Sequence, residues 1–315
     1  MNMSTVLICP YFGKLPNYFE YVLKSCEYNK KINWILITDD KRKFNYPKNV
    51  RVIYMEFYEF RNLIQKNFEF MISLKTPYKL CDYKPIYGYV MRNYIKEYEY
   101  WGHCDIDCFF GDLFKFIEEP MKLGVDKIGY LGHLTLYKNR QDINERFKLP
   151  LKGKNFKDVF TTDEILVFDE SFTELSMNTI YEHYGFEMYK KPIFADISCL
   201  YYDFRLYKYN EKFSYKLERR TNRVFIWEEG KVWSEIKDGE KEEFGYVHFQ
   251  KRSISIPESK IENRIKFLLR PNEICLDYNI DKELKIKYRK LFYKPYFNQK
   301  IKAIKFRLRR KRNEN

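Results

Sequence analysis
Apolar residues fall in short blocks that switch between two periods. Ser4–Cys9 (STVLIC), Ile32–Thr38 (INWILIT) and Val50–Met55 are near-continuous apolar runs of strand length. Between the first two, Asn17 precedes NYFEYVLKSCEYN, whose Phe19, Val22, Leu23 and Cys26 recur at helical spacing. Tyr58–Phe70 predicts a second helix. Strand, helix, strand at this pace predicts a parallel α/β sheet, which holds ligands at the carboxyl ends of its strands. Further along, Lys84-Pro85 predicts a helix start, since proline suits the first turn. A strand then runs into WGHCDID. Phe109–Leu123 is expected to be helical, Lys127–Tyr137 a strand, Arg140–Phe147 a short helix and Ser171–Tyr184 a longer one. From Met188 to Val247 strand patterns dominate, with a hairpin turning at Glu229-Gly230. Beyond Pro257 the chain reads as helical and basic. The expected organisation is therefore an α/β body over 1–257 and a helical, basic extension over 258–315.

Charge changes this picture in one place. The net charge is +14, yet Leu284–Asn315 alone carries thirteen Lys or Arg against one acid, Glu314. The body is near neutral, which argues against a nucleic-acid-binding face on the folded domain. Within the tail, Phe297, Ile301, Ile304 and Leu308 fall on one face of a helix, with Lys and Arg around the rest. Such a basic amphipathic helix is expected to lie on an anionic membrane surface.

The seven cysteines form no C-x-x-C pair and are odd in number, so neither a disulfide framework nor a zinc site is expected, and a reducing cytoplasm fits. The opening MNMSTVLICPYFGKLP lacks a basic n-region, and no segment reaches the roughly 18 apolar residues of a membrane span. The expected location is the cytoplasm, peripheral on the inner face of the cell membrane.

The sharpest chemical signal is WGHCDIDCFFGD. Asp105 and Asp107 stand two residues apart at a strand end, where i and i+2 share a face. Both carboxylates can then point into one pocket and share a hard divalent cation, Mn²⁺ or Mg²⁺. The first two strands end in PYFG (Pro10, Tyr11, Phe12, Gly13) and TDD (with Asp39), at the edge where such a fold would hold a nucleotide.

Seven motifs in order, PYFGKLP, KSC..N, TDD, DYKP, WGHCDIDCFFGDL, GH.TLYKN and HFQKR, resemble a glycosyltransferase family of bacterial capsule and surface-polysaccharide gene clusters, over about residues 5–255. The chain is more distantly similar to GT-A glycosyltransferases, whose D-x-D aspartates hold a metal against a sugar-nucleotide diphosphate. The resemblance implies a GT-A-like, Rossmann-like sheet with helices on both faces and a β-rich later section. It implies a nucleotide-sugar donor, UDP-linked, and a glycan or lipid-linked acceptor. It assigns Asp105 and Asp107 to metal and diphosphate, and His248 in GYVHFQKR to the third metal position. Lys251 and Lys84 would meet the diphosphate. Tyr11, with Pro10, Phe12 and Gly13, would lie against base and ribose, and Asp39 would accept from a uracil or ribose donor. An inverting enzyme needs a carboxylate base for the acceptor hydroxyl, whereas a retaining one could use a carboxylate or amide near the anomeric carbon. Asp163 and Glu164 in FTTDEILVF are the expected pair, with Asp196 a rival and His133 and Asn139 on the acceptor side.

Two other readings compete. A non-catalytic, membrane-associated polysaccharide-assembly protein could keep such a fold, although the intact carboxylates speak against decay. A D-x-D phosphohydrolase would place its motif on the first strand followed by Gly-Thr, whereas here it comes at residue 105 and Cys108-Phe109 follows.

Overall fold
The structure is a computed structural model that describes residues 3–236, 239, 241–250, 252–258, 261 and 264–286. Lys251 and the expected tail helix lie outside these residues. The chain runs β1 (Thr5–Pro10), α1 (Phe19–Glu27), β2 (Ile32–Thr38), β3 (Val50–Tyr54) and α2 (Phe57–Gln65). A 3-10 helix, Pro77–Ile86, continues into α3 (Tyr87–Val90) and leads to β4 (Tyr100–Cys104), β5 (Cys108–Phe110) and α4 (Leu113–Lys122). Next come β6 (Lys127–Leu131), β7 (Leu134–Lys138), α5 (Gln141–Asn144), α6 (Phe156–Phe160) and α7 (Met177–Tyr184). The later section is mostly strand: β8 (Met188–Tyr189), β9 (Phe194–Ile197), β10 (Leu206–Tyr209), β11 (Tyr215–Leu217), β12 (Arg223–Glu228) and β13 (Lys231–Ile236). Then come β14 (Lys241–Phe244), β15 (Tyr246–His248), β16 (Lys266–Arg270) and β17 (Glu273–Cys275), before a last short helix, α8 (Ile280–Glu283).

The first sheet has the order β3-β2-β1-β4-β7-β6-β8. β3, β2, β1 and β4 are mutually parallel, and β7 runs antiparallel to both of its neighbours. Alternation along β1 sends Leu7 and Cys9 to one face and Val6 and Ile8 to the other. The first face packs under α1 and α4 through Phe19, Val22, Leu113 and Ile117; the second packs under α2, the 3-10 helix and α7 through Phe60, Ile64, Tyr83 and Ile180. Each fully buried side chain of this size stabilises the fold by about 1.5–3 kcal/mol relative to exposure. The expected α/β sheet with helices on both faces and a β-rich later section is what the chain forms.

The second sheet has the order β11-β10-β9-β15-β5 and the third β14-β13-β12-β16-β17. The hairpin at Glu229-Gly230 is as expected: Glu228 pairs with Lys231, and both turn residues have positive φ, which suits a two-residue turn between twisted strands.

Three helix expectations shift. Cys108–Phe110 is a strand paired with β15, so the helix expected from Phe109 starts at Leu113 behind the Asp112 cap. The helix expected from Ser171 starts at Met177, because Ser176 caps it and the preceding residues are spent on a turn. Residues 266–275, expected within a helical extension, instead form β16 and β17 and pair back onto β12, Phe225 opposite Leu269. The turn that makes this possible lies at Pro271-Asn272, with Asn272 at φ +62°. No helix among the described residues is long and apolar enough to cross a membrane.

Candidate active site
Strand register assembles the site. β4 ends at Cys104, and Asp105 and Asp107 occupy the short link to β5, at the carboxyl edge of the parallel strands. The Asp105 amide donates to the His133 carbonyl at 3.0 Å, extending the β4–β7 ladder by one bond. β15 lies between β5 and β9, with His248 opposite Cys108 on one side and Asp196 on the other. His248 Nε2 thereby lies 3.5 Å from Asp107 Oδ1 and 3.8 Å from Asp105 Oδ2, while its Nδ1 is 2.9 Å from Asp196 Oδ1. Ligand atoms of Asp105, Asp107 and His248 all fall within 4.8 Å of one another. Burial opposes an imidazolium, but Asp107 and Asp196 outweigh it and hold the His248 pKa well above its ordinary value.

These groups sit in a cleft of about 640 Å³ that also receives Pro10, Tyr11 and Phe12 from the end of β1 and Lys84 from the 3-10 helix. Lys84 Nζ donates to Asp105 Oδ1 at 2.6 Å and to the Gly132 carbonyl at 2.9 Å, and Asp169 Oδ2 is 3.6 Å away. Burial favours the neutral amine, yet Asp105 and Asp169 keep Lys84 charged, with its pKa well above the usual lysine range. Asp169 and Glu170 also line the cleft. Burial pushes both carboxyls up; Lys84 offsets the shift at Asp169, and a hydrogen bond from the Gly132 amide (2.7 Å) offsets it at Glu170. Gly132 allows this approach, since a Cβ there would meet Asp169 Oδ2 at 2.2 Å.

At the nucleotide end expected from PYFG and TDD, Gly13 takes φ +103° and donates to Asp39 Oδ1 at 2.6 Å. That left-handed turn favours glycine. Tyr11 is half-buried, and burial together with the Asp107 carboxylate pushes its phenol up. Phe12 borders the cleft but packs on Phe57 and Phe60, with ring centroids at 5.3 and 5.7 Å. Arg42 beside Asp40 holds that carboxyl well below its usual range.

The structure brings Pro10, Tyr11, Phe12, Lys84, Asp105, Asp107 and His248 together in one cleft, whereas Gly13 and Asp39 line a separate pocket. It does not bring Asp163 and Glu164 there. Asp163 is exposed and bonded to Ser73 and Lys75, and Glu164 is exposed with its carbonyl bonded to Lys79. The chain turns between them and the cleft, so the carboxylates that reach it are the next Asp-Glu pair in the same segment, Asp169-Glu170. Sequence reasoning passed over that pair, although FTTDEILVFDES contains both. Asp196 proves to be the partner of His248 Nδ1, and it also accepts from Gln250 Nε2 at 2.5 Å and from the Tyr209 hydroxyl at 3.1 Å. Asn139 is turned away from the cleft and ties down the carbonyls of Ile95 and Tyr98. Cys104 and Cys108 are buried, and neither joins a converging ligand group among the described residues.

No curated protein matches the chain. Among solved structures it is similar to the crystal structure of the galactosyltransferase LgtC in complex with donor and acceptor sugar analogs. That similarity has 10% sequence identity and a TM-score of 0.32, and it covers 61% of this chain and 75% of the other. Residues 7–277 match the family of unknown function DUF6625, and the chain belongs to that family.

Proposed function
We propose that this chain is a metal-dependent glycosyltransferase that moves a sugar from a nucleotide-sugar donor, UDP-linked, to a hydroxyl of a surface-polysaccharide or lipid-linked glycan acceptor. The observation that carries this reading is the charge of the cleft. Among the described residues, five carboxylates, from Asp105, Asp107, Asp169, Glu170 and Asp196, face one ammonium, Lys84, and two imidazoles. A diphosphate meets net repulsion in such a site until a cation stands between them. Asp105, Asp107 and His248 are the residues to hold that cation. Two carboxylates and one imidazole fit Mn²⁺ or Mg²⁺. The Asp196 contact on His248 Nδ1 is the outer partner that a metal-binding histidine takes, fixing the ring so that Nε2 faces the carboxylates. When bound, the metal supplies Lewis-acid stabilisation of the leaving diphosphate.

The remaining roles belong to the chain itself. Lys84 adds a fixed positive charge beside Asp105, and Lys251 is assigned to the same diphosphate from the sequence motif. Tyr11 offers a ring to the base, and Asp39 with Gly13 shapes the ribose end. Asp169 and Glu170 are the carboxylates of the cleft that neither the metal nor His248 uses. Burial raises their affinity for a proton, which suits acceptance of the acceptor hydroxyl proton. The basic tail is assigned to the anionic inner face of the membrane, where a lipid-linked acceptor would be met.

Thermal-shift screening of sugar nucleotides with and without MnCl₂, on wild type and Asp107→Ala, tests the reading. The expected result is stabilisation by one sugar nucleotide that requires Mn²⁺ and disappears in the variant. Stabilisation that persists unchanged in Asp107→Ala overturns the metal assignment.

A further inference from the structure
Behind the Asp105–Asp107–His248 group stands a second convergence of ligands. His133, Asp196 and His248 each place a ligand atom within 4.8 Å of the others, and all three border the cleft. The set is more deeply buried than the first: His133 is 4% exposed, Asp196 2% and His248 9%. The His133 and His248 rings lie close and tilted to each other, with centroids 4.4 Å apart and an interplanar angle of 32°.

His133 supplies an independent observation. Its Nδ1 is 2.8 Å from the Tyr246 hydroxyl, whereas Nε2 is buried with no hydrogen-bond partner among the described residues. A buried polar atom left unpaired is costly, and native sites normally satisfy it. In the tautomer whose Nδ1–H donates to Tyr246, Nε2 carries a bare lone pair, which is the arrangement of a metal-binding histidine whose other nitrogen is held by an outer partner.

The geometry points to a second cation site at His133, Asp196 and His248, one that takes a borderline-soft divalent ion of the Zn²⁺ class. Two imidazoles and one carboxylate, with room for a fourth ligand from the cleft, form a zinc donor set rather than a magnesium one. His248 belongs to both groups. Its Nδ1 faces Asp196 and its Nε2 faces Asp107, and a neutral imidazole has only one free lone pair. Occupancy is therefore exclusive: Zn²⁺ at the inner site withdraws His248 from the carboxylate site, so Zn²⁺ antagonises Mn²⁺. This inference stands on the ligand geometry and does not require the transferase reading.

The test uses the metals alone on the full chain. Calorimetric titration with ZnCl₂ and, separately, MnCl₂ is run on wild type, Asp107→Ala, His133→Phe and His248→Ala. His133→Phe keeps a ring between Phe194 and Tyr246, which both contact His133 edge-on. Asp107→Ala is expected to lose Mn²⁺ and keep Zn²⁺. His133→Phe is expected to keep Mn²⁺ and weaken Zn²⁺ by at least about tenfold. His248→Ala should lose both. Zn²⁺ lost in Asp107→Ala but kept in His133→Phe, or no Zn²⁺ bound by wild type, overturns the inner site. A variant that fails to fold leaves the decision to the wild type. The chain has four histidines, so imidazole ¹⁵N spectra are simple, and Zn²⁺ must shift both His133 and His248. A Zn²⁺ shift at His248 without one at His133 overturns the proposal.

Discussion

Lys84 Nζ stands 2.6 Å from Asp105 Oδ1 and 3.6 Å from Asp169 Oδ2, so one ammonium joins the D-x-D link to the acidic pair across the cleft. Without a metal it is the main counter-charge that both carboxylates share. Replacing it with an apolar chain of similar length leaves Asp169, almost fully buried, without its ion-pair partner. Loss of one member of a buried pair costs on the order of 3 kcal/mol. Lys84→Met should therefore lower the unfolding free energy by about that amount in urea. Mn²⁺ should offset the part of the loss that falls on Asp105, because a cation then neutralises that carboxylate in place of Lys84, and leave the part that falls on Asp169. A gap that Mn²⁺ leaves unchanged would separate Lys84 from the metal site.

The two Asp-Glu pairs of the segment FTTDEILVFDES give opposite expectations. Once the donor is identified, Glu170→Gln and Asp169→Asn should reduce turnover, by about 10²–10⁴-fold for whichever residue serves as the proton acceptor. Asp163→Asn and Glu164→Gln should leave turnover within about twofold, as expected for exposed groups away from such features. Steady-state rates decide between them. A large loss in Asp163→Asn would return the base to the pair that the sequence favoured.

The contrast shows what was legible. Local periodicity was enough for the parallel strands, and the i, i+2 rule was enough to put Asp105 and Asp107 on one edge, because both depend on neighbouring residues. His248 was reachable through its motif. Its partnership with Asp196 was not, since it requires β15 to pair with β9 across 52 residues. The choice between 163–164 and 169–170 is also non-local, because it is made by Asp82. Asp82 Oδ2 accepts from the Leu166 amide at 3.0 Å and Oδ1 from the Phe168 amide at 2.9 Å. Between them Val167 is forced to φ +55°, and the chain reverses toward the cleft. KFLLRPNEIC, read as part of a helical tail, is a short hairpin. Its strands are stabilised by β12, and nothing in their own composition announces that.

Asp82 is wholly buried, and Lys79 Nζ donates to it at 2.7 Å. The pair holds a β-branched residue in the left-handed region, where strain of about 1–3 kcal/mol persists only under external restraint. Asp82→Asn should destabilise the protein by about 3 kcal/mol, since Lys79 is left without its counter-charge. Adding Val167→Gly should recover part of the loss, because glycine tolerates that φ. Chemical denaturation of the single and double variants measures both terms. Full additivity, with no recovery, would mean that Val167 is not restrained by Asp82.

Lys127 is a buried lysine on β6 whose Nζ donates to Asn178 Oδ1 at 2.5 Å, with the rings of Tyr137 and Tyr181 near it. Burial pulls its pKa down from 10.5 to about 7. Between those values the unfolded chain binds a proton that the folded chain does not, so this residue makes stability rise with pH through that window. Its share of the slope approaches about 1.4 kcal/mol per pH unit. Lys127→Met should flatten the pH dependence between about 7 and 10 and raise stability at the acid end. Equal slopes in wild type and variant, from urea unfolding at several pH values, would show that the folded protein keeps Lys127 charged.

The tail carries the last expectation. Residues 296–315 contain eight Lys or Arg against Glu314, with Phe297, Ile301, Ile304 and Leu308 at helical spacing. Each basic residue near an anionic leaflet contributes about 1 kcal/mol, and the attraction is screened within a Debye length. The full chain should sediment with vesicles containing phosphatidylserine at low ionic strength and release as salt is raised. A chain ending at residue 295 should stay in the supernatant, while its Mn²⁺ affinity, which we assign to Asp105, Asp107 and His248 in the body, should remain unchanged. Binding to neutral vesicles, or binding that survives the truncation, would move the contact from the tail to the body. In that case the near-neutral charge of the first 283 residues would leave apolar rather than electrostatic adhesion as its source.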